Sequence, residues 1–286
     1  MRRLWKVIRS AITDFFADDS MTLAAALAFY AILSLAPLAV LLVVAAGFIG
    51  QDTVNSIVSQ VEGMLGPSAA GVLQTVISSA QQQRSAGTVS AIVSLVVILS
   101  TALGTFVQLQ YSINRIWGLQ PSGKSAVWQW IRKRLLSLLL LLVIAVLLLA
   151  SVVASSVVSA LFPEFRWINA VVFLAIFLVL FAVIYKYLPD AKISWLDAWI
   201  GAIFTAILFS VGTWAIGLYL GRSGAGSLYG AAGSLVVFLL WIYYAALILF
   251  LGAEFTQACS AVYGHPIQPT EYSEHIDKHG QQHQGK

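Results

Sequence analysis

Two stretches of this chain, Leu135 to Ala150 and Val171 to Ile184, run without a single charged residue. Inside hydrocarbon a backbone must satisfy its own hydrogen bonds, which leaves helices and closed barrels. A barrel strand alternates apolar and polar residues in segments of about ten. Here the apolar residues are continuous, so the segments read as helices crossing about 30 Å of lipid. Composition agrees, with 59% hydrophobic and 10% charged residues and a mean hydropathy of +0.87. Soluble domains carry about 25% charged residues. A soluble enzyme is excluded, and so is a disordered chain.

The expected architecture is all-α and polytopic. Six spans are expected near 22–50, 88–113, 135–161, 168–188, 198–220 and 228–257. Thirteen of the sixteen Lys and Arg residues fall in one set of loops, including Arg2, Arg3, Arg132 to Arg134 and Lys186. The other set holds only Arg84, Arg166 and Arg222. Basic residues stay on the cytoplasmic side, so both termini are expected there, as an even number of spans also requires.

Residues 1–21 are expected to form a cytoplasmic amphipathic helix on the membrane surface rather than a cleavable signal. Leu4, Trp5, Ile8, Ala11, Ile12, Phe15 and Phe16 recur at helical spacing among Arg2, Arg3, Lys6 and Arg9. Such a pattern suits the headgroup region. The six-span membrane domain then covers 22–262. Its external loop, 51–87, carries one apolar stripe from Val54 to Leu65 and another from Ala69 to Ala80. That pattern predicts a helical hairpin between spans one and two, read as a cap rather than a gate. The tail, 263–286, has two prolines and no apolar stripe, and is expected to be disordered.

Catalytic constellations are missing. His265, His275, His279 and His283 all lie in the tail, and Cys259 is the single cysteine. The last three histidines, four apart, share a helix face if that segment is helical, but a polar tail is the preferred reading over a metal site. No cofactor, metal centre or nucleic-acid partner is expected.

Other residues point to packing or to a polar path. Gly217, Gly221, Gly226, Gly230 and Gly233 have the small-residue spacing of close helix contacts, with a lesser version at Gly201 and Thr205. Pro37 should kink the first span, with Ser34 near enough to satisfy a freed backbone group. Tyr30, Gln108, Asn114 and Tyr244 are candidates to line a cavity. Glu254 lies in an apolar run, where an ionisable group calls for a partner or a function. Arg115 is the expected partner, with Lys186 as the alternative.

Several of these residues sit in longer motifs. Leu23 to Tyr30 with Ser34 to Pro37, Asn114-Arg115-Ile116-Trp117, Tyr187-Leu188-Pro189, Tyr229 to Ser234 and Leu251-Gly252-Ala253-Glu254 together resemble the YihY/BrkB family of bacterial inner-membrane proteins, once called ribonuclease BN-like. The resemblance runs from about Ala17 to about Tyr263. It implies six spans and an inner-membrane location, and brings suggestions of virulence-related resistance and of lipid or glycolipid export. Ribonuclease chemistry does not fit, since metal-dependent hydrolysis needs clustered His and Asp ligands.

Two functions remain from the residues. One is transport or handling of a lipid, glycolipid or other envelope component, with membrane lipids as partners. The other is a non-transporting scaffold for envelope assembly, which accommodates a homo-oligomer or an assembly partner. A cavity favours the first and a fully packed bundle the second.

Overall fold

The computed structural model describes residues 2–49, 55, 58, 74, 103–122, 135, 139, 166–223, 231–263 and 266–276. Of these, 2, 35–49, 166–170, 172, 173, 214–223 and 231–238 are described by backbone alone. Among the described residues, six helices dominate: α1 Arg2–Ala17, α2 Ser20–Ile49, α3 Gly104–Ile116, α4 Arg166–Tyr187, α5 Trp195–Ser223 and α6 Ala231–Tyr263. The expected external hairpin and third span lie outside the described residues, apart from isolated positions. Among the described residues, Trp195–Thr213 and Leu239–Tyr263 are long and apolar enough to cross a membrane. The segments Arg3–Ala17 and Ser20–Ser34 pass the same criterion as a pair across a 64° break.

That break falls at Asp19, whose φ of 55° is left-handed. Asp is among the few residues that visit this region readily, because its short side chain bonds locally. Asp19 Oδ1 accepts from Thr22 Oγ1 at 2.9 Å, and its carbonyl accepts from Leu23 N at 3.2 Å, opening α2. Helix α2 then continues unbroken through Pro37, whose side chain lies outside the described ones. Ser34 does not serve a carbonyl freed by the proline. Its hydroxyl bonds Ala31 O at 3.0 Å and Thr105 Oγ1 at 2.6 Å.

The apolar residues of α1 divide between two surroundings. Val7, Ala11 and Phe15 are buried, and Val7 and Ala11 pack with Phe255, Ala258 and Cys259 of α6. Leu4, Trp5, Ile12 and Phe16 are exposed, Trp5 by 67% and Phe16 by 65%. A single membrane face was expected from the spacing. The structure gives part of that face to the protein core.

Within the tail, residues 266–276 are ordered where disorder was expected, and 277–286 lie outside the described residues. Strand β1, Leu119–Pro121, follows α3 after Gly118, whose φ of 65° ends the helix in the manner that favours glycine. It pairs antiparallel with β4, Ser273–His275, in the register Gln120↔Glu274. Strand β2, Ala191–Lys192, follows α4 and pairs with β3, Gln268–Pro269, through Lys192↔Gln268. Residues 266–276 thus tie together the loops that follow α3 and α4. Polar sequence without an apolar stripe is enough here, because backbone groups supply the bonds.

The chain divides into two compact units, Met1–Ala24 with Leu109–Ala215 and Tyr244–Lys286, and Ala25–Gln108 with Ile216–Tyr243. The core of the first is built around Trp117, Tyr185, Phe250, Ile113 and Leu188, all almost fully buried. Phe204 and Phe255 stack at 4.0 Å within it. In the second, the Tyr30 ring lies beside Gly104, and Ser34 bonds Thr105.

Candidate functional site

The first unit concentrates the polar groups. Helix α3 ends in Gln110 and Asn114, one turn apart on one face, and both are buried. They meet Asp190, which follows Pro189 at the end of α4. Asn114 Nδ2 donates to Asp190 Oδ2 at 2.9 Å, and Asp190 N donates back to Asn114 Oδ1 at 2.8 Å. Gln110 Nε2 donates to Asp190 Oδ1 at 3.5 Å. The Asp190 carbonyl accepts from Ser273 Oγ at 2.5 Å and Thr270 N at 3.2 Å. One residue therefore joins α3, α4 and the tail strands.

Helices α5 and α6 meet through a reciprocal contact. A Cβ at Gly201 would overlap Thr256 Oγ1, and one at Gly252 would overlap Thr205 Oγ1 and the Tyr185 hydroxyl. Each threonine turns its hydroxyl back onto its own helix: Thr205 Oγ1 donates to Gly201 O at 2.8 Å, and Thr256 Oγ1 to Gly252 O at 2.7 Å. The Tyr185 hydroxyl lies 2.8 Å from Leu249 O and 2.8 Å from Thr205 Oγ1, so the two hydroxyl protons are shared among these contacts and Gly201 O. Glycine lets two backbones approach closely in lipid, and the threonines seal the contact without unpaired hydroxyls. Helix α5 is capped by Ser194, whose Oγ accepts from Asp197 N at 3.1 Å and donates to Asp197 Oδ2 at 2.5 Å.

Glu254 and Arg115 do not meet. Glu254 is 1% exposed, and its Oε1 accepts from Ser20 Oγ at 3.4 Å. Its Oε2 has no hydrogen-bond partner among the described residues. The charges acting on it belong to Asp18 and Asp14, both acidic. Arg115 is exposed and donates to Tyr111 Oη at 3.4 Å, one turn back on its own helix. Lys186, the alternative partner, donates to Ile193 O and lies over the Trp195 ring at 5.6 Å. Sequence depth alone placed Arg115 and Glu254 at one level. Helix rotation then directed them to different neighbours.

The other expected lining residues are dispersed. Tyr30 and Gln108 belong to the second unit, whereas Asn114 and Tyr244 belong to the first. Tyr244 packs over Gly212 and donates to Leu208 O at 3.3 Å. Gly217, Gly221 and Gly233 lie in helices described by backbone alone, and Gly226 and Gly230 lie outside the described residues.

A cavity of about 940 Å³ does exist in the first unit, at the ends of α1, α3 and α6 beside the tail strands. Asp14, Asp18 and Asp19 line it from the end of α1, and Arg115 from α3. Gln257 and His275 contribute from α6 and β4. Arg115 is the one expected site residue among its lining. The acidic wall and Asp190 carry no site role in the sequence reading. The available signal was position: Asp14, Asp18 and Asp19 interrupt an otherwise amphipathic segment.

These helices and their lipid-length apolar surfaces define a helical membrane protein. The model of the family described as virulence factor BrkB matches residues 11–274, and the chain belongs to that family. Similar curated proteins carry the name UPF0761 membrane protein. The one from Verminephrobacter eiseniae is 27% identical over 88% of this chain and 62% of its own length. That from Stenotrophomonas maltophilia is 29% identical over 88% of this chain and 61% of its own. A third, from Psychrobacter, is 27% identical over 91% and 50% respectively. The chain thus spans less than two thirds of the length of these relatives. No solved structure matches.

Proposed function

We propose that the protein handles a lipid, glycolipid or other envelope component at the bacterial inner membrane, with both termini cytoplasmic, and that it is not an enzyme. The observation that carries this reading is the cavity of about 940 Å³ beside the tail strands. Its size is that of a small-molecule site, typically about 300–1,000 Å³. A scaffold has no need of it. The exposed Phe16 of α1, which lies between the cavity-lining Asp14 and Asp18 in the chain, supports access from the membrane surface.

The test is a lipid inventory of separated inner and outer membranes, and of the two inner leaflets, with and without the protein. A class of lipid that accumulates on one side in its absence supports handling. Unchanged distributions, with altered recovery of envelope assemblies, favour the scaffold.

A further inference from the structure

We infer that the outward face of α1 is a preformed docking surface for anionic phospholipid headgroups. This surface is separate from the cavity, and its role does not depend on the lipid-handling reading.

The tertiary structure sorts the side chains of α1 into sectors. Val7, Ala11 and Phe15, four apart, turn inward, and Val7 and Ala11 pack with Phe255, Ala258 and Cys259 of α6. Ser10, Asp14 and Asp18, also four apart, line the cavity. Trp5, Ile12 and Phe16 recur at helical spacing on the side away from both, exposed by 67%, 47% and 65%. The exposed Arg9 stands four residues from Trp5 and three from Ile12, and the exposed Lys6 and Arg3 continue its row. The helix therefore turns its carboxylates toward the cavity and presents an apolar stripe bordered by cations to its surroundings. Such a surface suits the boundary between acyl chains and headgroups, with the long basic side chains reaching the phosphates. A zwitterionic surface would take the stripe but leave the cations without counter-charge. A second copy of the same face would set cation against cation. Because α1 is already folded against α6, contact with lipid carries little cost of ordering the helix.

A separate set of residues marks the level of that boundary. Tyr187 and Trp195 are exposed and meet edge to face at 5.7 Å, and the Trp199 ring lies 6.5 Å from that of Trp195. Tyr and Trp collect where hydrocarbon gives way to headgroups. These residues end α4 and open α5. The following residues of α5, Ile200 and Phe204, pack against the cluster that holds Val7 and Ala11. Helix α1 thus rests on the part of α5 that the aromatic residues assign to the headgroup level.

The test uses the full chain carrying Phe16→Cys, labelled with a fluorophore and reconstituted in bilayers; the native Cys259 is 3% exposed and stays unlabelled. Quenching is compared between phosphatidylglycerol and phosphatidylcholine, each brominated on its acyl chains and present at the same mole fraction. An anionic surface contributes roughly fivefold per basic residue, so a preference of at least about threefold for phosphatidylglycerol is expected beside α1. The same label at Ile207→Cys, on an exposed apolar position of α5, should show no preference. The triple variant Arg3→Gln/Lys6→Gln/Arg9→Gln should remain quenched but lose the preference. Raised salt should weaken the preference without that triple change, and this arm decides the matter if the variant does not fold. Equal quenching by the two lipids at Phe16→Cys would overturn the anionic docking surface. So would the absence of quenching by either lipid, or self-quenching that grows with protein density and shows a second copy on this face.

Discussion

Asn114 and Asp190, 76 residues apart, exchange two hydrogen bonds of 2.9 and 2.8 Å in the buried part of the first unit. The side-chain amide uses its donor on the carboxylate and its acceptor on the backbone N–H of the same residue. That arrangement fixes both the rotamer of Asn114 and the path of the chain as it leaves α4.

Asp190→Ala should therefore destabilise the protein by about 1–3 kcal/mol, the cost of leaving a buried polar group unpaired. Asp190→Asn, which keeps an acceptor for Asn114 Nδ2, should cost less. Thermal unfolding of the purified protein in detergent checks both. Equal midpoints for the wild type and Asp190→Ala would show that the exchange contributes nothing.

The α5–α6 crossing predicts a rescue. Gly201→Ala places a methyl group on Thr256 Oγ1 and should cost about 1–3 kcal/mol by overpacking. Thr256→Ala removes the obstructing hydroxyl and methyl, so the double variant should be more stable than the sum of the two single changes predicts. Simple additivity would mean that the helices do not rely on this close approach.

Glu254 has Ser20 as its hydrogen-bond partner and, among the described residues, no basic group in an ion pair with it. Glu254→Gln keeps the volume and the acceptor, and removes any cost of burying a charge. Its unfolding midpoint should match or exceed that of the wild type, while Glu254→Ala should fall through lost packing. A loss of more than about 1 kcal/mol in Glu254→Gln, larger than a neutral hydrogen-bond change, would reveal a cationic partner.

Ending the chain at Tyr263 removes β3 and β4 and strips the Asp190 carbonyl of its bonds from Ser273 and Thr270. Net hydrogen bonds contribute about 0.5–1.5 kcal/mol each, so the loss should be on the order of 2–4 kcal/mol. Faster proteolysis in the 119–122 and 189–192 loops should accompany it. Unchanged melting and cleavage would restore the view of the tail as an unattached polar segment.

Orientation is open to a chemical test because the native Cys259 is buried at 3% exposure and should give little background. A cysteine placed at Ser85 should react with an impermeant thiol reagent added outside the cell. One at Ser125 should not react until the membrane is opened. The reverse pattern would overturn the charge-bias argument, which puts thirteen of sixteen basic residues on the inner side.

The helical membrane character of the protein is legible in the sequence, since apolar runs and few charges are properties of consecutive residues. So is the amphipathic α1, whose helix occupies Arg2–Ala17. Pairing is another matter. Arg115 and Glu254 were matched by depth, yet depth does not specify the direction in which a side chain leaves its helix. Gly201 was visible as a small residue, but its complement Thr256 is not, because the contact depends on the register between α5 and α6. The order of 266–276 also comes from elsewhere in the chain: Gln120 and Lys192 present the backbone edges on which Glu274 and Gln268 pair. Local periodicity records how a segment meets its surroundings, whereas Asp190 becomes a hub only when α3, α4 and the tail arrive at one place.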